Sequence, residues 1–467
     1  MAASPASAAP AAAMPGPAAT LASDATAPAL PPAPLPAVAD LVTVVLTTSP
    51  TPSAPSTELV DAVLASFRTH CPALLACPVT VVFDTYDRIG PRSRLKRGSV
   101  TPAEAAHYAA YKENVRRLVK GVWEAEGKAR AAGGSATVDT VETGAAEYGS
   151  PFLADNSVPF TITRTGTNGR IAFIEPAARL GFALAVRTAV RAASTPYVWV
   201  QQHDWTLAAD VPLAAMLDVM CTAEAELTGG TPTEDAGLST GGQPAVDGPV
   251  ALPVRYIGLP SIRMLQYAVS DHVVRFPSLR LLTETCKRQF PCPSSSSARV
   301  STDNAAAAAA DDDGGPAHRL PLTPLFLWHD KPHLALAAHY LARIFPSRLA
   351  VARGDFIEDH IGQRARAQMK RDPALWRKWA CWLYYPDEGR QLCLRHLQGR
   401  TWRGEADEAA ARDAYRKRNR AAAAAAAAAV SAGGNKNGGA EDEDEIGDDD
   451  NDDDNDDEEA YTTADNK

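Results

Sequence analysis

The chain has 467 residues and a formal net charge of −10 at pH 7, but the charge sits at one end. Residues 441–459 hold 15 acidic and no basic side chains, so the remaining 56 − 15 = 41 Asp and Glu face 46 Lys and Arg, a balance of +5. A mildly basic body suits a small polyanionic ligand. Basic stretches without interleaved aromatic residues argue against nucleic acid, and no run of roughly 18 apolar residues exists to span a membrane.

The first 39 residues are nearly all Ala, Pro, Ser and Thr and are expected to be disordered. The first basic residue is Arg68, which predicts no cleaved leader. The seven cysteines form no CxxC pair. An odd, scattered set fits reduced thiols and a soluble cytoplasmic protein.

Order begins at "ADLVTVVLTTSP", a Val- and Thr-rich strand over residues 39–50. "PSTELVDAVLASFRTH" places Leu59, Val60, Val63, Leu64 and Phe67 on one helical face, with Ser56 as N-cap. A second strand, "CPVTVVFDTYD", follows directly. Strand, helix and strand with short connections predict a parallel βαβ unit. Thr101, Pro102 and Glu104 then make a capping box with proline at the first helical position. A break near Gly133 leads to the strand "PFTITRTG", the helix "PAARLGFALAVRTAVRAAS" and the strand "YVWVQQHDW". The predicted class is α/β: one domain over residues 40–403, with a mostly parallel open sheet and helices on both faces.

After Trp205 the expectation is a helix over "VPLAAMLDVM" and low-complexity inserts near residues 224–248 and 293–318. "LALAAHYLARIF" reads as a helix, and "WACWLYYPDEGRQLCLRHLQGR" as a hairpin turning at residues 386–389. An Ala-rich helix over residues 404–430 and a disordered acidic tail over 431–467 close the chain.

Ligands of open α/β sheets sit beyond the carboxyl ends of the strands. Those ends carry Thr47, Thr48, Ser49 and Pro50, then Asp84, Tyr86 and Asp87, then Gln202, His203 and Asp204. Each acid alone is as readily a turn former. Together they make a candidate site. In "LWHDKPH", Trp328 suits a sugar face, His329 and Asp330 suit hydroxyls, and Lys331 suits a phosphate; the alternative is a helix N-terminus. Glu358 and Asp359 in "DFIEDHIGQ" suit general-base chemistry, or equally the start of a helix. "SRLKR" reads as a solvated basic loop.

In order and spacing these residues resemble the nucleotide-sugar-dependent glycosyltransferases of the GT-A type, nearest to their inverting family 2, over about residues 41–403. The resemblance implies that Thr47, Ser49 and Asp84 hold the nucleoside. Gly181 and Arg187 match a helix pattern that precedes the metal strand, and Arg187 with Gln202 joins the nucleotide-sugar contacts. It further implies that Asp204 ends a variant Asp-x-Asp motif, binding Mn2+ or Mg2+ with His203 or a late histidine, His396. Asp359, beside Glu358, would be the base for a hydroxyl acceptor. Gln202 departs from the motif, since a carboxylate is usual there. Fewer anionic ligands predict weaker metal binding. Two rivals follow: a non-catalytic carbohydrate-binding relative, and a sugar nucleotidyltransferase. The second should show a Gly-rich phosphate loop after the first strand, where "TTSPTPSAPS" has no glycine.

Overall fold

The computed structural model describes residues 37–130, 139–229, 252–292 and 319–432. The chain divides into two compact units between Arg403 and Gly404. The second contributes one described helix, Glu405–Ala432. The first holds the strands β1 (Val42–Thr48), β2 (Val79–Phe83), β3 (Arg88–Ile89), β4 (Ser99–Val100), β5 (Thr140–Glu147), β6 (Ser157–Thr165), β7 (Ile171–Pro176) and β8 (Tyr197–Gln202). It continues with β9 (Trp205–Leu207), β10 (Tyr256–Gly258), β11 (Arg288–Pro291), β12 (Arg319–Pro324), β13 (His333–Leu336), β14 (Cys381–Tyr384) and β15 (Leu394–His396).

Eleven of these strands form one sheet in the order β11-β12-β14-β10-β13-β8-β1-β2-β7-β6-β5. The class is α/β, as expected, but the sheet is mixed rather than mostly parallel. Four neighbouring pairs are parallel; six are antiparallel. The parallel block is the centre, β8-β1-β2-β7, and antiparallel strands return against both of its sides.

Every residue of β1 and β2 is buried. Successive side chains point to opposite faces of a strand, so both faces are covered here, which explains the unbroken Val, Leu and Thr runs. The helix Phe182–Ala192 packs on β1 and β2, and the helix Pro102–Arg130 packs on β7. The predicted capping box is present. The Thr101 N–H donates to Glu104 Oε2 at 2.7 Å, and the Glu104 N–H to Thr101 Oγ1 at 3.3 Å.

Several expectations need correction. The N-cap of the helix Glu58–His70 is Thr57, with Ser56 one residue outside. Residues 334–336 belong to β13, pinned between β8 and β10, and helix begins only at Ala337. No hairpin joins β14 to β15, because β14 enters the large sheet while β15 pairs with β9. Residues 224–229 end the helix Leu213–Gly229. The rest of that insert, the second insert, and residues 1–36 and 433–467 lie outside the described residues. Among the described residues no helix is long and apolar enough to cross a membrane.

One contact sets the height of the sheet's carboxyl edge. Gly181 (φ +79°) and Gly354 (φ +94°) meet backbone to backbone, and the Gly354 N–H donates to the Leu180 carbonyl at 2.8 Å. A Cβ on Gly181 would lie 2.4 Å from Gly354 Cα, against backbone that has nowhere to move. Gly181→Ala is expected to lower stability by more than about 1–3 kcal/mol, the cost of the strained φ alone, before the clash is added. Urea denaturation checks this, and wild-type stability in the variant would mean that the two segments separate freely.

Candidate functional site

The carboxyl ends of β1, β2 and β8 open into one cleft with a cavity volume of about 110 Å3. Its lining brings together Thr47, Ser49, Asp84, Gln202, His203 and Asp204, six of the residues singled out by sequence. Lys96, Arg179 and Arg400 join them from three separate segments.

Asp84 ends β2, and its carboxylate is used inside the protein. Oδ1 accepts from the Leu180 N–H at 2.6 Å, and Oδ2 from the Gly181 N–H at 3.0 Å. It thereby satisfies amides at the start of the helix Phe182–Ala192. Burial pushes the Asp84 carboxyl up to about 6, against the pull of those amides and of Arg179.

His203 and Asp204 leave two buried polar atoms without partners. His203 Nδ1 lies 3.3 Å from the Thr47 carbonyl, which can only accept, so this nitrogen carries the proton. In the neutral ring the lone pair is therefore on Nε2, which is buried and unpaired. Asp204 Oδ2 accepts from His396 Nε2 and from the Gly399 N–H, each at 3.2 Å, while Oδ1 is buried without a partner. Burial alone would raise the Asp204 carboxyl. The His396 hydrogen bond, the charges of both histidines and the Gly399 amide outweigh it and hold the group down at about 2.

His396 thus serves as a partner of Asp204, its ring stacked on Trp205 at 4.5 Å. Among the described residues no group of three or more His, Cys, Asp or Glu side chains is arranged to hold a metal ion. Of the expected donors, two are left with unpaired atoms, His203 Nε2 and Asp204 Oδ1. One nitrogen and one oxygen fit Mn2+ or Mg2+ only if ligand oxygens and water complete the shell.

A second polar cluster touches the first through Gln202, whose Nε2 donates to the Asp330 carbonyl at 3.0 Å. The His329 Nδ1–H donates to Glu358 Oε1 at 2.9 Å. The Asp330 N–H donates to Glu358 Oε2 at 3.3 Å, and the Glu358 N–H returns a bond to Asp330 Oδ2 at 3.2 Å. Burial, with the Glu358 charge beside it, holds Asp330 well above the usual carboxylate range. Burial also acts on Glu358, but the His329 bond and charge override it and keep that group low. Lys331 donates to Ser261 Oγ at 3.0 Å and lies 5.9 Å from the centre of the Trp205 ring.

Two expected roles fail on placement. Trp328 is fully buried, its ring against Tyr256 at 4.4 Å and Tyr340 at 4.9 Å, so it offers no face to a sugar. Arg187 is buried too; its Nη2 donates to the Glu147 carbonyl, away from the cleft. Asp359, expected as a base, is exposed at the start of a helical turn. The cations of the cleft were the residues missed. Lys96 lies in the basic stretch read as a solvated loop, and Arg400 follows the late histidine.

No family model and no curated protein matches the chain.

Native Asp84 holds its proton more tightly than an unfolded aspartate, whose pKa is about 3.9. Its contribution to stability is therefore complete below about pH 4 and is lost as pH rises through about 6. The loss amounts to about 3 kcal/mol at about 1.4 kcal/mol per pH unit. Urea unfolding across pH 4 to 7 should show this decline in wild type and lack it in Asp84→Asn. Parallel profiles for the two proteins would place the Asp84 carboxyl in the ordinary range.

Proposed function

We propose that the chain is a GT-A-type glycosyltransferase that moves a sugar from a nucleoside diphosphate to a hydroxyl acceptor, with inversion. One observation carries the reading: His203 Nε2 and Asp204 Oδ1, buried and unpaired, line a cleft at the carboxyl ends of β1, β2 and β8 together with three cations. The position is where open α/β sheets bind ligands, and the cation surplus favours an anionic one.

In this reading Thr47, Ser49 and the Asp84 strand end border the nucleoside. His203 and Asp204 would hold Mn2+ or Mg2+, which supplies charge neutralisation for the departing diphosphate. With its Nδ1–H on the Thr47 carbonyl, His203 would offer Nε2, once unprotonated, as its metal-binding atom. His396 and the Gly399 amide keep Asp204 ionised and fix its carboxylate plane. Gln202, where a carboxylate is usual, spends its amide on the Asp330 carbonyl and ties the cleft to the acid cluster.

The acceptor proton falls to the turn at residues 358–359. Glu358 is ionised and oriented by His329; Asp359 faces solvent. A general base is typically worth ~10²–10⁴ in rate, so the two acids separate by single substitution. Glu358→Gln or Asp359→Asn, whichever removes the base, should lower turnover by ~10²-fold or more while nucleotide affinity is kept. Wild-type turnover in both variants would make this turn structural and deprive the mechanism of its base.

Nucleotide binding is tested by thermal shift with nucleoside diphosphates, with and without Mn2+. A ligand at about 100 times its Kd stabilises by ~2.7 kcal/mol. The shift should grow with Mn2+ in wild type, and Asp204→Asn should lose the Mn2+-dependent part. Equal shifts in the folded variant would return Asp204 to the status of a turn residue.

A further inference from the structure

We infer that Lys96, Arg179 and Arg400 form a clamp that holds a diphosphate in the cleft without help from a divalent cation. This rests on the nucleotide-sugar reading and deepens it.

The charges lining the cleft are Asp84, Asp204, Lys96, Arg179 and Arg400, so 3 − 2 = +1 even with both acids ionised. Asp84 is turned to the Leu180 and Gly181 amides, which leaves Asp204 as the single carboxylate facing any ligand. An anion entering this cleft meets a surplus of positive charge before any metal arrives.

The cations are also positioned. Arg179 runs between two glycines of positive φ, Gly98 (+66°) and Gly354 (+94°). A Cβ on Gly98 would lie 2.8 Å from Arg179 Cδ, and one on Gly354 would lie 3.3 Å from Arg179 Nη1. A side chain at either glycine would crowd Arg179, and at Gly98 it would also meet Asp87 Oδ2 at 2.6 Å. The Arg179 carbonyl is held in turn by Arg353 Nε at 2.6 Å. Arg400 lies over the Phe356 ring at 5.4 Å, and Phe356 stacks on Phe182 at 5.9 Å. A guanidinium laid on an aromatic face keeps its N–H edge outward and loses less freedom on binding. Lys96 comes from the exposed turn Leu95–Arg97, which ends at Gly98. Two forked guanidinium groups and one ammonium match the oxygens of a diphosphate.

The test is titration calorimetry of the full chain in EDTA, with inorganic pyrophosphate, UDP and uridine as probes. The clamp predicts that pyrophosphate and UDP bind in EDTA and that uridine binds far more weakly. Lys96→Gln and Arg400→Gln, both at exposed positions, should each weaken UDP in EDTA by about tenfold or more, with uridine unchanged. Their circular dichroism and Tm should match wild type. UDP binding only with Mn2+, or unchanged affinity in both variants, would overturn the clamp and leave the nucleotide-sugar reading standing. Pyrophosphate binding in EDTA as tightly as UDP would keep the clamp and remove the nucleoside from the account.

Discussion

Asp204 is held from three sides by a segment nearly two hundred residues later in the chain. The Leu397 N–H donates to its backbone carbonyl at 2.7 Å, and its Oδ2 receives His396 and Gly399. Gly399 approaches so closely that a Cβ there would lie 2.9 Å from both Asp204 Cβ and Oδ2 and 3.0 Å from His203 Nε2. This approach leaves one carboxylate oxygen and one imidazole nitrogen bare at the end of β8. It also delivers Arg400 to the cleft. Without it the strand would end in an ordinary solvated acid.

The same economy governs the opposite wall. Asp84 is spent on the helix N-terminus, and the Gly181–Gly354 contact brings residues 354–358 to the mouth of the cleft. Phe356 lines that mouth while Glu358, two residues on, reaches His329 and Asp330. Two acidic centres of different character therefore stand side by side, linked by Gln202. One, Asp204, is ionised and faces the cleft. The other is Asp330 with Glu358, each carboxylate accepting from the other's backbone amide.

Local patterns carried much of this. β1, β2 and β8 were legible because buried parallel strands read as continuous Val, Thr and aromatic runs, and their carboxyl ends led to nine residues of the cleft. The capping box at Thr101 was legible for the same local reason. β7 was missed because "IAFIEP" runs without a turn signal into "AARLGFALA", and β5 because its side chains are mostly exposed and carry no alternation. "LALA" was misjudged as helix: Ala and Leu favour helix, but the slot between β8 and β10 makes it a strand. Trp328 and Arg187 show the limit of composition, since a residue type suited to a ligand was needed by the core instead. Lys96 and Arg400 lie on irregular segments, and nothing in a single sequence says that such segments meet.

The central claim is that the cleft beyond β1, β2 and β8 binds a nucleoside diphosphate, and amide hydrogen exchange with saturating UDP tests it most directly. Slowed exchange is predicted at residues 47–51, 84–86, 96–98, 179–182, 202–204 and 397–400, six stretches that meet only in the folded cleft. Protection confined to the groove around Val269, Arg280 and Lys287, or absent everywhere, would contradict the account.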